Sequence, residues 1–177
     1  MKVWGIGLGR TGTKSLQQAL LQLGLNTVHN PAFYTELLAQ DIDGGIEGAV
    51  LREFKSLDLR FPDSKFILTS RPLRFWLSSC KKAIEELYPE DRIAPHSEFY
   101  EPMIRNRAAR YGSVSYDEDT LIQKYYQHHA DAVSHFKGRM NQLLIIDVTS
   151  ASDSWSPLCA FLKKPSPDSP FPCIADR

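Results

Sequence analysis

Val3-Trp4-Gly5-Ile6 is a short apolar run, and Gly7-Leu8-Gly9-Arg10-Thr11-Gly12-Thr13-Lys14-Ser15 follows it directly. Beyond the glycines, Leu16, Ala19, Leu20 and Leu23 recur at the i, i+3, i+4, i+7 spacing of an amphipathic helix, with Gly24 as its stop. A buried strand, a glycine-rich turn and a helix, in that order, restrict the fold sharply. They define an α/β unit whose turn sits at the carboxyl end of a strand, where such sheets bind ligands. The turn is also dense in hydrogen-bond donors. Arg10, Lys14, three hydroxyl residues and the open N–H groups of a helix start suit an anion.

The rest of the chain alternates in the same way. Asn26 to Asn30 reads as a second strand, and Gly44 to Val50 as a glycine-rich loop leading into a helix at Leu51 to Arg60. Phe61-Pro62-Asp63-Ser64 is turn chemistry. Lys65 to Ser70 is the strongest strand, ended by Arg71-Pro72, with a helix carrying Phe75, Trp76 and Leu77 behind it. Residues 89–115 are polar and proline-punctuated, a mobile insertion or lid, with Arg105, Arg107 and Arg110 as a charged surface face in preference to the lining of an anionic acceptor's entry. Ser115-Tyr116-Asp117-Glu118 has the capping-box pattern and opens a long helix. Its apolar face reads Ile122, Tyr125, His129, Val133 and Phe136, with His129 as a core histidine, and Gly138 closes it. Leu143 to Val148 is a further strand and Ser156 to Lys163 a short helix. The prolines at 165, 167, 170 and 172 demand an extended tail. Strands alternating with helices over 177 residues predict one α/β domain, 1–177, with a mainly parallel sheet flanked by helices.

Lysine plus arginine equals aspartate plus glutamate, 21 each, so no bulk charge points to nucleic acid or a membrane surface. No apolar stretch approaches the roughly 18 residues of a membrane span, and Lys2 to Ile6 runs into the first strand without a secretory leader pattern. Cys80, Cys159 and Cys173 are odd in number and widely spaced, which fits buried thiols in a reducing, cytoplasmic setting. His96 and His135 have no partner at metal-ligand spacing, so no metal is expected.

Three anion-binding motifs compete for the opening turn. G-x-G-x-x-G is present as Gly7, Gly9 and Gly12, but the acidic residue that a dinucleotide ribose needs about 20 positions on is missing from Asn26 to Asn30. The Walker A pattern ends correctly in Lys14-Ser15. It has Thr13 before the lysine and Leu8 at its first glycine, and its aspartate-ended strand falls late, at Asp147.

The third motif accounts for most residues. Gly9-Arg10-Thr11-Gly12-Thr13-Lys14-Ser15-Leu16 resembles the 5′-phosphosulfate loop of the P-loop sulfotransferases, and Ile67 to Arg71 with Ser79 eight residues on resembles their 3′-phosphate signature. Phe54 to Thr69, Leu143 to Val148, and Trp155 to Leu162 followed by Pro165 and Pro167 resemble a bacterial sulfotransferase-like subfamily, so the likeness covers nearly the whole chain. It implies a P-loop-type three-layer sandwich and transfer of a sulfuryl group from 3′-phosphoadenosine 5′-phosphosulfate to a hydroxyl or amine of a small-molecule acceptor. Adenosine 3′,5′-bisphosphate would be the product. Carried over residue by residue, it puts Arg10 at the oxygen bridging phosphate and sulfate, with Thr11, Gly12, Thr13, Lys14 and Ser15 as the cradle. Arg71 and Ser79, or Ser78 beside it, would take the 3′-phosphate.

The family's base, a histidine or carboxylate, lies ahead of the arginine-ended strand, which makes Glu47 the first candidate, then Asp43 and His29. Pro72 directly after Arg71 and Lys163-Lys164-Pro165 in place of a glycine-containing loop depart from the pattern. The rival readings are a P-loop nucleotide kinase or NTPase and a non-catalytic nucleotide-binding protein of this fold.

Overall fold

A computed structural model describes residues 1–87, 100–150 and 153–174. Five strands form one sheet: β1 (Val3–Gly5), β2 (Thr27–His29), β3 (Gly44–Ile46), β4 (Lys65–Ser70) and β5 (Leu143–Asp147). Their order is β2-β3-β1-β4-β5 and every pairing is parallel. The helices are α1 (Thr13–Gln22), α2 (Ala49–Arg60), α3 (Leu73–Lys82), α4 (Tyr100–Tyr111), α5 (Glu118–His135) and α6 (Trp155–Leu162). No helix among the described residues is long and apolar enough to cross a membrane.

Alternation along the strands explains the three layers. Val3, Ile46, Ile67 and Ile146 point to one face, where Leu16, Ala19 and Leu20 of α1 and Leu158 and Leu162 of α6 cover them. Trp4, Phe66 and Leu68 point to the other, under Phe54 and Leu57 of α2 and Ala132 and Phe136 of α5. Successive side chains on a strand face opposite ways, so a one-residue slip would exchange the two faces and bury neither set correctly. The result is an α/β three-layer sandwich. A third cluster, with Leu8, Trp76, Cys80, Tyr111 and Leu121, joins α3, α4 and α5 beyond the strand ends.

Three local expectations change. Gly44-Gly45-Ile46 is an interior strand rather than a loop, paired with β1 and β2. A Cβ on Gly44 would stand 1.7 Å from the Val3 carbonyl oxygen, so the glycine answers to close backbone packing. Helix α5 is capped by Asp117, whose carboxylate accepts the Thr120 N–H at 2.7 Å, and not by a Ser115 box. Its buried face runs through Leu121, His128, Ala132 and Phe136, one position out of phase with the apolar letters, and Val133 is left 41% exposed. His128 tolerates the interior because its Nε2 meets the Ile6 carbonyl at 2.6 Å, and burial pushes its pKa down to about 4, so it is neutral there. Of the insertion expected at 89–115, residues 89–99 lie outside the described residues, His96 among them, while Tyr100–Tyr111 is helical.

Candidate active site

The chain leaves β1 to build β2 and β3 on one side and β4 on the other. The loop after β1 therefore sits at the point where the strand order reverses, the usual ligand crevice of open α/β sheets. Its shape is fixed by internal contacts. Arg10 and Gly12 both have positive φ, 75° and 90°, and Trp76 Nε1 donates to the Gly9 carbonyl at 2.8 Å. A Cβ on Gly7 would meet Thr69 Oγ1 at 1.8 Å, and one on Gly12 would meet Val148 Cγ2 at 2.4 Å. Helix α1 begins immediately after, so its first N–H groups have no intrahelical partner.

A cavity of about 1050 Å³ opens beside this loop, and Arg10, Gly12, Thr13, Lys14, Ser15 and Arg71 line it. Arg10 Nε donates to Ser79 Oγ at 3.1 Å, and Arg71 Nη1 donates to the Arg10 carbonyl at 3.3 Å. The two motifs, some sixty residues apart in sequence, are thus joined by direct contact. Tyr125 steadies the second one by donating its hydroxyl to the Arg71 carbonyl at 2.9 Å. Ser78 faces the same cavity as Ser79.

Thr11 departs from the cradle expected of it. It is fully buried and absent from the cavity wall, with its hydroxyl 2.6 Å from both the Leu8 carbonyl and Thr69 Oγ1, so it braces the loop from behind. Ser15 does line the cavity, but its Oγ accepts the Ile174 N–H at 3.0 Å, which brings the tail back to the start of α1. Lys164 turns the other way and donates to the Leu23 carbonyl at the opposite end of that helix.

The three base candidates separate. Asp43 precedes β3 at the amino edge of the sheet, where it accepts the Asn26 N–H at 2.8 Å; it is not part of the cavity wall. Glu47 ends β3 and lines the cavity in the left-handed region, φ 65°, only 4% exposed. One of its oxygens meets Arg110 Nε, while the other accepts from Thr13 Oγ1 at 2.7 Å and lies 3.4 Å from His29 Nε2. Burial alone would raise the Glu47 pKa. The Arg110 guanidinium, His29 and the Thr13 hydrogen bond override it and hold the carboxyl at about 2. His29, at the end of β2, also lines the cavity, its Nε2 shared between Glu47 and Thr13.

Sequence reasoning missed most of α4. Arg107 is 7% exposed and donates to the Ile84 carbonyl, and Arg110 also donates to Asn30 Oδ1 at 2.8 Å. Neither belongs to a solvated face. The signal was the three-residue step from Arg107 to Arg110, which stacks both on one side of a helix. Cys80 and Cys159 are buried free thiols as expected, whereas the free thiol Cys173 is exposed beside the cavity.

A parallel sheet with an anion-suited loop at its switch point, tied to an arginine at the end of a neighbouring strand, defines an α/β protein with its candidate site in the usual ligand crevice. The chain matches the sulfotransferase domain family in two overlapping segments, residues 2–46 and 35–177, and it belongs to that family. It is also similar to Ava biosynthesis cluster protein M of Aspergillus versicolor. The two are 27% identical over 217 aligned positions, which take in 99% of this chain and 82% of that protein.

Proposed function

We propose that this protein transfers a sulfuryl group from 3′-phosphoadenosine 5′-phosphosulfate to a hydroxyl or amine of a small-molecule acceptor. The observation that carries the reading is the convergence of Arg10, Arg71 and Ser79 on one cavity at the sheet's switch point. The donor supplies an activated sulfuryl group: the acceptor's oxygen or nitrogen bonds to sulfur as the bond to the bridging phosphate oxygen breaks, which releases adenosine 3′,5′-bisphosphate.

The backbone N–H groups of Thr13, Lys14 and Ser15 at the start of α1 would hold the 5′-phosphate, with Lys14 as counter-charge. Arg10 would neutralise charge on the departing bridging oxygen, which is where such transfers need most help. Arg71, with Ser79 or Ser78, would take the 3′-phosphate through the arginine's planar fork.

We assign the acceptor's proton to His29 rather than Glu47. A carboxylate held at about 2 is a weak proton acceptor, and both Glu47 oxygens already have partners. Glu47 instead orients the His29 ring through Nε2, which leaves Nδ1 for the acceptor. Burial pushes the Tyr111 phenol up to about 12, so it stays neutral and does not compete for the proton. The rival kinase reading needs a carboxylate for magnesium at the end of β5. Asp147 instead accepts from Thr149 N and Thr149 Oγ1, both at 2.7 Å, and from Ser150. We place the reaction in the cytoplasm, where the three free thiols stay reduced.

Thermal unfolding with adenosine 3′,5′-bisphosphate, adenosine 5′-phosphate, ATP with magnesium, and NADH tests this reading. The bisphosphate at about a hundred times its Kd stabilises by about 2.7 kcal/mol, a rise on the order of 5–10 °C for a domain of this size. A shift with ATP or NADH and none with the bisphosphate overturns it.

A further inference from the structure

The cavity holds more than the donor loop needs. Pockets for one drug-sized molecule span roughly 300–1,000 Å³, and this one, at about 1050 Å³, continues past Arg10 and Ser79. Its far wall comes from the end of α3, a π-helical turn at Ala83–Leu87, and α4. Turns of this kind are rare and concentrate at functional sites. The wall presents Lys82, Ile84, Asn106, Arg107 and Tyr111.

Asn106 is the unusual member. It is 8% exposed and lines the cavity, yet its Oδ1 is buried and has no hydrogen-bond partner among the described residues. Buried amide oxygens in native proteins are rarely left so, and one that borders a cavity fits a partner brought by a ligand. Its position suggests which ligand. Arg110 lies four residues on, one turn along the same face of α4, and its guanidinium reaches Glu47 beside His29. Side chains so spaced are about 6 Å apart. A molecule with its reacting group at His29 therefore extends along α4 toward Asn106. Ile84 and Tyr111, 4% and 5% exposed, give that path an apolar lining.

We propose that Asn106 selects the acceptor: it accepts a hydrogen bond from a second donor group, a hydroxyl, amine or amide N–H, carried at the end of a largely apolar body away from the atom that is sulfated. The idea rests on the sulfotransfer reading and deepens it. An ether or carboxylate at that place has no proton to give and leaves the amide oxygen orphaned. A site built around a buried hydrogen bond discriminates strongly against the analogue that lacks it.

Hydroquinone and 4-methoxyphenol make the test, because each carries two oxygens on an apolar ring and the two molecules differ in one donor proton. Each is titrated calorimetrically into the protein with and without saturating adenosine 3′,5′-bisphosphate, in the wild type, in Asn106→Leu and in Asn106→Asp. Hydroquinone is expected to bind at least about tenfold more tightly than its methyl ether in the wild type. Asn106→Leu abolishes that preference with bisphosphate affinity unchanged, and Asn106→Asp, which keeps an acceptor oxygen, retains it. Equal affinities in the wild type, no binding of either phenol, or a preference that survives in Asn106→Leu overturns the proposal. Failure of the bisphosphate to bind counts against the sulfotransfer reading instead, and the titrations without nucleotide still decide the role of Asn106.

Discussion

Thr11, Thr13 and Ser15 each have their hydroxyl engaged inside the protein, with Leu8 and Thr69, with Glu47, and with the Ile174 amide respectively. Asn106, in the wall of the same cavity and similarly buried, has an amide oxygen with no partner among the described residues. The loop end is thus complete before any ligand arrives, so its shape costs nothing to organise on binding. What it offers a phosphate is backbone N–H groups and cationic side chains. The α4 end is incomplete, and its chemistry is finished by whatever enters. Under the proposed reaction, the loop end would recognise the donor and the α4 end the acceptor.

The sharpest way to break the contrast is at the loop. Arg10→Ala is expected to lower turnover about 10³-fold, the upper range for removing one group that stabilises charge developing in the transition state. Affinity for adenosine 3′,5′-bisphosphate should change little, measured by calorimetry beside steady-state kinetics. Turnover near the wild-type value would remove Arg10 from the chemistry. His29→Gln is expected to cost about 10²-fold, within the range for loss of a positioned general base. Turnover of His29→Gln near the wild-type value would return the proton to Glu47.

That the two motifs meet at one cavity was legible in the sequence because short patterns carried them: Arg10 to Ser15 in one turn, and Arg71 and Ser79 two helical turns apart. The strand Lys65–Ser70 was equally plain, since β-branched and aromatic residues fill it between a proline turn and Arg71-Pro72. Gly44-Gly45-Ile46 was not, because glycine reads as a loop unless one knows that Val3 packs against its Cα. The phase of α5 was hidden by His128, a polar letter made apolar in effect by its bond to Ile6. Asn106, Arg107 and Arg110 reach the cavity only because α4 folds back over the loop. No local pattern records such a tertiary fact. Glu47 was legible as a cavity position, but its ion pair with Arg110, which holds the carboxyl low, was not.

That dependence makes Glu47 the next test. Its pKa falls from 4.5 to about 2 on folding, so it contributes stability that is complete above pH ~5 and lost as the pH drops through about 2. At 1.36 kcal/mol per unit the contribution is about 3 kcal/mol. Denaturant titrations of the wild type and of Glu47→Gln between pH ~6 and ~2.5 check it. The variant should be less stable at the upper end and show a flatter pH dependence. Parallel curves would mean that Arg110 does not hold the carboxylate. Arg71→Ala comes below this, with a loss of about 10–100-fold in affinity for the bisphosphate, on the scale of hydrogen bonds to charged groups. Adenosine 5′-phosphate should be nearly indifferent to the change. An equal loss for both nucleotides would deny Arg71 the 3′-phosphate.

The smallest expected effect has the opposite sign. A buried oxygen without a partner costs the fold about 1–3 kcal/mol, and an apolar group of similar shape relieves that cost. Asn106→Leu is close to isosteric, removes the orphaned Oδ1 and adds a good helix former inside α4. It should raise the melting temperature by about 2–4 °C, the shift for 1 kcal/mol in a domain of this size. Every loop-end change above lowers activity, affinity or stability, because those groups already have their partners. Here the protein becomes more stable and loses discrimination between acceptors, the trade-off of a site whose strain serves binding. Scanning calorimetry without ligand measures it directly. A fall in melting temperature would show that the Asn106 amide supports α4 instead, and the two ends of the cavity would then be built alike.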